Sequence, residues 1–302
     1  MSDSQLQTPD RQAVLVISSH VVRGSVGNRA VVFALETLGH PVWALPTIVL
    51  PWHPGHGPAT RSTLPAEAFS AIIDDLCRAP WLAEVGAVLS GYLGDAAQAA
   101  GIARLVAAVR EKNPEALYLC DPVIGDKGGL YVPEETARAV RDELIPAASV
   151  ATPNRHELEW MAGTALSDNA DIINAARSLG PERVLVTTAV PMMANSTGNL
   201  LVTNADALLA EHQEIPDPPN GPGDLLSALF LSRLMDGSGD ERALQKATAS
   251  VFEMLARTAK HGADELTLER EAASLVRPFA LVQMRHLARP PGRPETKNKE
   301  KT

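Results

Sequence analysis

Short apolar runs alternate with amphipathic segments along most of the chain, and this alternation predicts a regular succession of strands and helices. The runs AVLVIS (13–18), PVWALPT (41–47), VGAVLSGY (85–92), ALYLCDP (116–122), ASVATPN (148–154) and ERVLVTTA (182–189) read as strands. Between them lie four helical patterns. SVGNRAVVFALETLG (25–39) closes on Gly39 at a helix C′ position, and PAEAFSAIIDDLCRA (65–79) begins at Pro65 near N1. DAAQAAGIARLVAAVREKN (95–113) and PEETARAVRDELI (133–145) follow, and NLLVTN (199–204) with ALLAEHQEI (207–215) reads as a late hairpin. The strand runs are nearly continuously apolar, as in strands buried on both faces. The expected class is therefore α/β, a three-layer α/β/α architecture around a mostly parallel central sheet.

Composition narrows the function. The chain has 302 residues, 45% hydrophobic and 21% charged, with a formal net charge of −9. That balance suits a globular protein and weighs against a nucleic-acid or membrane-surface binder. Any phosphate site must then be made locally, from backbone amides and a metal. The start, MSDSQLQTPDRQ, lacks the features of a signal peptide, and no apolar run reaches the length of a membrane span. Cys77 and Cys120 match no metal-ligand spacing and read as reduced thiols, so a cytoplasmic location is expected. Absence of a long linker or repeat predicts one domain over residues 12–287. A flexible leader (1–11) and the Pro-rich, charged tail ARPPGRPETKNKEKT (288–302), expected to be disordered, flank it.

In a parallel sheet, ligands bind beyond the carboxyl ends of the strands. The polar residues there are Ser19 and His20, Thr47, Gly91 and Tyr92, Asp121, Thr152 and Asn154, and Thr187. Neither a G-x-G-x-x-G fingerprint nor a G-x-x-x-x-G-K-[ST] loop is present, so phosphate must be held by other means. Four patterns offer such means. In CDPVIGDKGGLYV (120–132) Asp121 ends a strand and is placed to hold a metal-bound water, or else to cap the next turn. In TPNRHELEW (152–160) Asn154 and Glu157 stand three apart at a helix start, which suits either a hydrated cation or a capping box. In NGPGD (220–224) Asp224 lies beside helix-start amides, as a general base or as a plain N-cap. TIVLPWHPGHG (47–57) reads as a loop covering a substrate, with His53 and His56 lacking the further ligands a metal requires.

Together, ISSHVVRGSVGN (17–28), LSGYLGD (89–95), NPEALYLCDPVIGD (113–126), TPNRHELE (152–159) and the NGPGD turn resemble the ribokinase superfamily and, within it, the pyridoxal kinases, over about residues 13–275. The resemblance implies a ribokinase-like fold and ATP-dependent transfer of a phosphoryl group to the 5′-hydroxyl of pyridoxal, a reaction of vitamin B6 salvage. It implies Asp224 as catalytic base, with Gly221 and Gly223 in an anion cradle flanked by Asn220 and Pro222. Ser19, Thr47, His53 and Tyr92 fall on the substrate side, and Asp121, Thr152, Asn154, Glu157 and Thr187 on the ATP side. Asp121 and Glu157 would organise Mg2+, partly through water. A monovalent cation such as K+ and a homodimer are further implied. The chain departs from the family pattern at Arg23 and His56, where Tyr is usual, and at Trp52, where Asn is usual. Pro222 withdraws one backbone donor from the anion turn, and loss of one such donor costs roughly 10²–10³ in rate. A kinase for hydroxymethylpyrimidine-type alcohols, a sugar or nucleoside kinase, and a catalytically weak pyridoxal-binding homologue are the alternatives.

Overall fold

In the computed structural model the described residues are 11–288. The element order is β1 (Ala13–Val21), α1 (Asn28–Thr37), β2 (Val42–Leu50), β3 (Ser62–Thr63), α2 (Ala66–Cys77), β4 (Val85–Ser90), α3 (Gln98–Lys112) and β5 (Leu117–Cys120). A small hairpin of β6 (Gly125–Asp126) and β7 (Gly129–Leu130) follows, then α4 (Glu134–Ala139), β8 (Val150–Ala151), α5 (Arg155–Ala162), α6 (Asn169–Leu179) and β9 (Arg183–Ala189). The chain continues through β10 (Ser196–Thr203), β11 (Ala207–Gln213), α7 (Pro222–Met235), α8 (Asp240–Lys260), α9 (Ala272–Val276) and β12 (Gln283–Ala288).

Ten strands form one sheet in the order β12-β11-β10-β9-β8-β5-β4-β1-β2-β3. The run from β2 to β9 is parallel, and the strands at both margins pair antiparallel. The apolar strand runs bury both faces, which requires a helical layer on each side. On β1, Val14 and Val16 pack toward α1, α7 and α8, whereas Leu15 and Ile17 pack toward α2 and α3. On β9, Leu185 joins the first of these layers, and Val184 and Val186 pack with α5 and α6. Each fully buried aliphatic side chain contributes about 1.5–3 kcal/mol, so these layers hold the sheet as a rigid platform.

From β1 the chain moves to β2 on one side and then returns to β4 on the other. The loops after β1 and β4 therefore diverge and open a crevice at the carboxyl edge. Several expectations shift in detail. The regular part of the expected helix 133–145 is confined to α4; the backbone then widens over Val140–Leu144 and tightens over Ile145–Ala147, around Pro146. Helices α6 and α8 add to the expected elements. Much of their buried surface is alanine (Ala175, Ala176, Ala243, Ala247), which gives a weak apolar signal. Strand β12 was not expected either. It is only partly buried, and Glu211, fully buried on β11, fixes it through Arg285 at 2.7 Å. Arg11 and Ala288, assigned by the sequence pattern to leader and tail, belong to the structured unit: Arg11 pairs with Asp236 at 3.1 Å and Ala288 ends β12. The rest of both terminal segments lies outside the described residues. Cys77 and Cys120 are free, and burial pushes the Cys120 thiol up to about 12.

Candidate active site

A cavity of about 390 Å³ opens at the carboxyl edge of the sheet, a size within the range of small-molecule sites. Ser19, His53, Tyr92, Asp121, Thr152, Asn154, Glu157, Thr187, Asn220, Gly221, Gly223 and Asp224 all line it. These residues come from seven separate stretches of chain, so the fold brings together what the sequence shows only as scattered motifs. Three of the positions lie inside strands rather than after them: Ser19 in β1, Thr47 in β2 and Thr187 in β9. Strand pairing carries past the end of each apolar run. Alternation along β1 then separates Ser19, which faces the cavity, from His20, which faces a different groove beside α1.

Two of the expected site residues do not line the cavity. Thr47 is fully buried, its hydroxyl donates to the Tyr92 carbonyl at 2.7 Å, and its own carbonyl accepts from Gln98 at 2.8 Å. It fixes the segment that carries Tyr92 and is closed off from a substrate in this arrangement. Pro222 sits at N1 of α7, directly after Gly221. An N1 amide has no helical partner, so proline is well tolerated there. The N–H groups of Gly223 and Asp224 belong to the same first turn and lack helical acceptors. The cradle therefore keeps donors at Gly223 and Asp224, and the proline forms its outer flank.

Two glycines allow the close approaches that shape this end of the cavity. Gly27 has φ 54°, and a Cβ there would collide with the Ser19 carbonyl and hydroxyl. Gly221 has φ 101°, and a Cβ there would collide with the Ser25 carbonyl. The β1–α1 loop and the NGPGD turn are thus packed backbone to backbone. On the opposite wall Thr188 adopts φ 54°, a strained value for a β-branched residue, beside the cavity-lining Thr187.

Four carboxylates line this space, and three of them, Asp121, Asp224 and Glu157, are shifted by it. Asp121 is 7% exposed and accepts from the Ser227 hydroxyl at 3.0 Å, while Ser227 and Thr152 are linked at 2.8 Å. Burial, then the negative charge of Asp224, pushes Asp121 up to about 7. Burial pushes Asp224 up to about 6, against the Gly27 amide that lowers it. Glu157 is raised well above the ordinary carboxylate range by burial and by Asp121, although three backbone amides oppose the shift. Among the described residues none of the three is paired with a basic side chain.

Glu157 and Asn154 form a complete capping box at the start of α5. The Asn154 side chain accepts from the Glu157 amide at 2.9 Å, and Glu157 accepts from the Asn154 amide at 2.8 Å. The second Glu157 oxygen accepts from Ile124 at 2.9 Å, and Asn154 donates to the Gly125 carbonyl at 2.8 Å. The pair therefore caps a helix and also fastens the Gly-rich loop after β5. Among the described residues no cluster of three His, Cys, Asp or Glu side chains forms a ready-made metal cage. The unbalanced negative charge of Asp121, Asp224 and Glu157 fits a cation that arrives with an anionic ligand.

Sequence reasoning missed Ser227, Arg61, Tyr131 and Asp126. Ser227 sits one turn after Asp224 on α7, and helical spacing from an assigned base was the signal available for it. Tyr131 and Asp126 line the cavity from the loop that Asp121 opens. Arg61 reaches the cavity from the far end of the covering loop, where its guanidinium bonds the Tyr92 hydroxyl and lies 5.7 Å from the ring centre.

A three-layer α/β/α fold with a glycine turn at a helix start, facing carboxylates across a cavity at the sheet's carboxyl edge, defines a small-molecule kinase of the ribokinase-like class. The model of the phosphomethylpyrimidine kinase family matches residues 62–269. A pyridoxal kinase PdxY of Rubrobacter xylanophilus is 39% identical over 91% of this chain and 97% of its own. That of Pseudomonas aeruginosa is 38% identical over 89% and 96%. The solved pyridoxal kinase of Leishmania donovani, in complex with ADP and pyridoxamine, superposes with a TM-score of 0.85 at 27% identity, covering 91% of this chain and 99% of that one. The chain belongs to the pyridoxal kinase family. No helix among the described residues is long and apolar enough to cross a membrane.

Proposed function

We propose that this protein transfers the γ-phosphoryl group of ATP to the 5′-hydroxyl of pyridoxal, giving pyridoxal 5′-phosphate. The observation that carries the reading is the position of Asp224, a carboxylate in the first turn of α7 that shares one cavity with Asp121, Glu157 and the Gly221–Gly223 turn. Phosphoryl transfer depends on positioning and charge neutralisation more than on covalent chemistry. Asp224, raised to about 6, stays largely ionised near neutrality and is basic enough to draw the proton from a hydroxyl in the transition state. The amides of Gly223 and Asp224, with the positive end of the α7 dipole, stabilise charge on the phosphoryl group in flight.

Asp121 and Glu157 would hold Mg2+ that enters with ATP. With both Glu157 oxygens already engaged by backbone amides, its contact is read as running through water. Bound there, the ion would supply neutralisation of the phosphate oxygens. Ser19 and Tyr92 face the acceptor side, under the loop that carries His53, and Thr152, Asn154 and Thr187 face the nucleotide. A K+ requirement and a homodimer belong to the same reading and rest on the family resemblance, and a cytoplasmic location rests on the two free cysteines.

The test is direct. Purified protein is given magnesium ATP with pyridoxal, pyridoxine, pyridoxamine or hydroxymethylpyrimidine, and phosphorylated products are identified by mass spectrometry. Turnover of a B6 vitamer is expected, and failure with all three sinks the proposal. Faster turnover of hydroxymethylpyrimidine would favour the second reading, which the family model's description supports. Asp224→Ala should lower kcat by about 10³ or more while ATP binding persists. Full activity in that variant would remove Asp224 from its assigned role.

A further inference from the structure

Two positions where the chain departs from its family's pattern, Arg23 and His56, lie 33 residues apart in sequence. In the structure both meet one carboxylate, Glu265, in the segment between α8 and α9. His56 Nε2 lies 2.7 Å from Glu265 Oε1, and the Arg23 guanidinium lies 3.7 Å from the same oxygen. Arg23 also pairs with Asp264 at 2.7 Å. The second Glu265 oxygen accepts from the Ser25 amide at 3.0 Å, and the Ser25 hydroxyl donates to the Leu266 carbonyl at 2.9 Å. The Glu265 side chain is 13% exposed and Arg23 and His56 reach it from the solvent side, whereas the Ser25 hydroxyl bond is buried.

The segment that His56 anchors is the covering loop after β2. It is braced internally: His53 Nδ1 accepts from the Gly55 amide at 3.0 Å and the Trp52 indole donates to the Gly57 carbonyl at 3.2 Å. Its far end is fastened by Arg61 to the Tyr92 hydroxyl. The loop is thus braced within itself and held at His56 and at Arg61. Just before the first of these points, His53 and Pro54 face the cavity, and Gly55 lies close to the Asn220 side chain of the phosphate turn. Glu265 therefore stands behind two walls at once. It holds the covering loop through His56, and it holds the β1–α1 loop through Ser25, whose carbonyl abuts Gly221.

We infer that Glu265 is a positioning residue which latches the His53–Arg61 loop over the acceptor half of the cavity through its contacts to His56 and Arg23. This inference rests on the kinase reading for its catalytic consequence, but the latch itself is a property of the unliganded protein. Closing a loop over a phosphoryl-transfer site orients the acceptor and excludes water. Loosening it should weaken acceptor binding and leave ATP on the other half undisturbed.

The experiment uses the full chain and the variants Glu265→Gln, His56→Phe and the double variant. Hydrogen exchange of the segment 51–61 is measured without ligands, and KM for pyridoxal and for ATP in the same preparations. Each single variant is expected to speed exchange in 51–61 and to raise KM for pyridoxal about tenfold, the effect of one lost charge-assisted hydrogen bond, with KM for ATP unchanged. The double variant should be no worse than the worse single, because both remove one interaction. Unchanged exchange in 51–61, multiplicative effects in the double variant, or equal rises in both KM values would overturn the latch. If the wild type phosphorylates no vitamer, the kinase reading fails, and hydrogen exchange alone still decides the latch.

Discussion

Asp121→Asn offers the sharpest check on the electrostatics of the cavity. In the wild type this carboxyl is buried beside Asp224 and stands at about 7 instead of 3.8. Its folded value is raised, so its full stabilising contribution is present below about pH 4 and is lost as pH climbs through 7. At 1.36 kcal/mol per pH unit, and with the charge partly shared with Asp224, ionisation costs the metal-free fold on the order of 2–4 kcal/mol at pH 8. Asparagine keeps an oxygen to accept from Ser227 and carries no charge. The variant should therefore melt roughly 4–8 °C above wild type at pH 8 in a chelating buffer, and only roughly 2–3 °C above it at pH 5. Kinase activity should fall sharply at the same time. Millimolar Mg2+ with ADP should close the gap at pH 8, because it stabilises the wild type preferentially. Thermal unfolding at the two pH values, with and without Mg2+ and ADP, makes the measurement. A variant equally stable to wild type at pH 8, or a difference that is the same at pH 5 and pH 8, would refute the assignment of a buried, strained carboxylate.

Three further substitutions separate backbone fit from side-chain chemistry. Gly221→Ala places a Cβ against the Ser25 carbonyl at φ 101°, so it should destabilise the protein by about 2 kcal/mol or more and largely abolish turnover, read by thermal unfolding and steady-state assay. Pro222→Thr should leave kcat within about threefold, since position 222 flanks the cavity without lining it; a rise of the size expected for a regained oxyanion donor would place that position inside the cradle. Thr47→Val removes the hydroxyl that holds the Tyr92 carbonyl and should cost about 1–2 kcal/mol of stability, and normal stability with a raised KM for pyridoxal would instead mark Thr47 as a direct substrate contact.

Much of the architecture was legible because burial leaves a local trace. Strands covered on both faces must be continuously apolar, and each run ends near its carboxyl edge, which places Asp121, Thr152 and Tyr92 together from the sequence pattern alone. The NGPGD and TPNRHELE turns were equally visible, since glycine, proline and capping residues are selected by backbone geometry within a few positions. Whether Asn154 and Glu157 cap a helix was left open by their spacing; the structure shows a capping box whose glutamate also ties down the Ile124–Gly125 backbone. β12 left little trace because its edge position is only half-buried and its register depends on Arg285 meeting Glu211, 74 residues earlier.

The sequence by itself determined the three-layer class, the edge that carries the chemistry and most residues on that edge, because these follow from periodicity and turn chemistry over short spans. Tertiary structure alone decided which side each of those residues faces. Ser19 looks into the cavity and His20 away from it because side chains alternate along a strand, and only the packing of both sheet faces says where the alternation starts. Thr47 turns inward because Tyr92, 45 residues later, presents a carbonyl to its hydroxyl. Arg23 and His56, two unrelated departures in the linear chain, become one device because Glu265, more than two hundred residues further on, is folded between them. Contacts over such separations are set by the whole packing arrangement, and no local pattern encodes them.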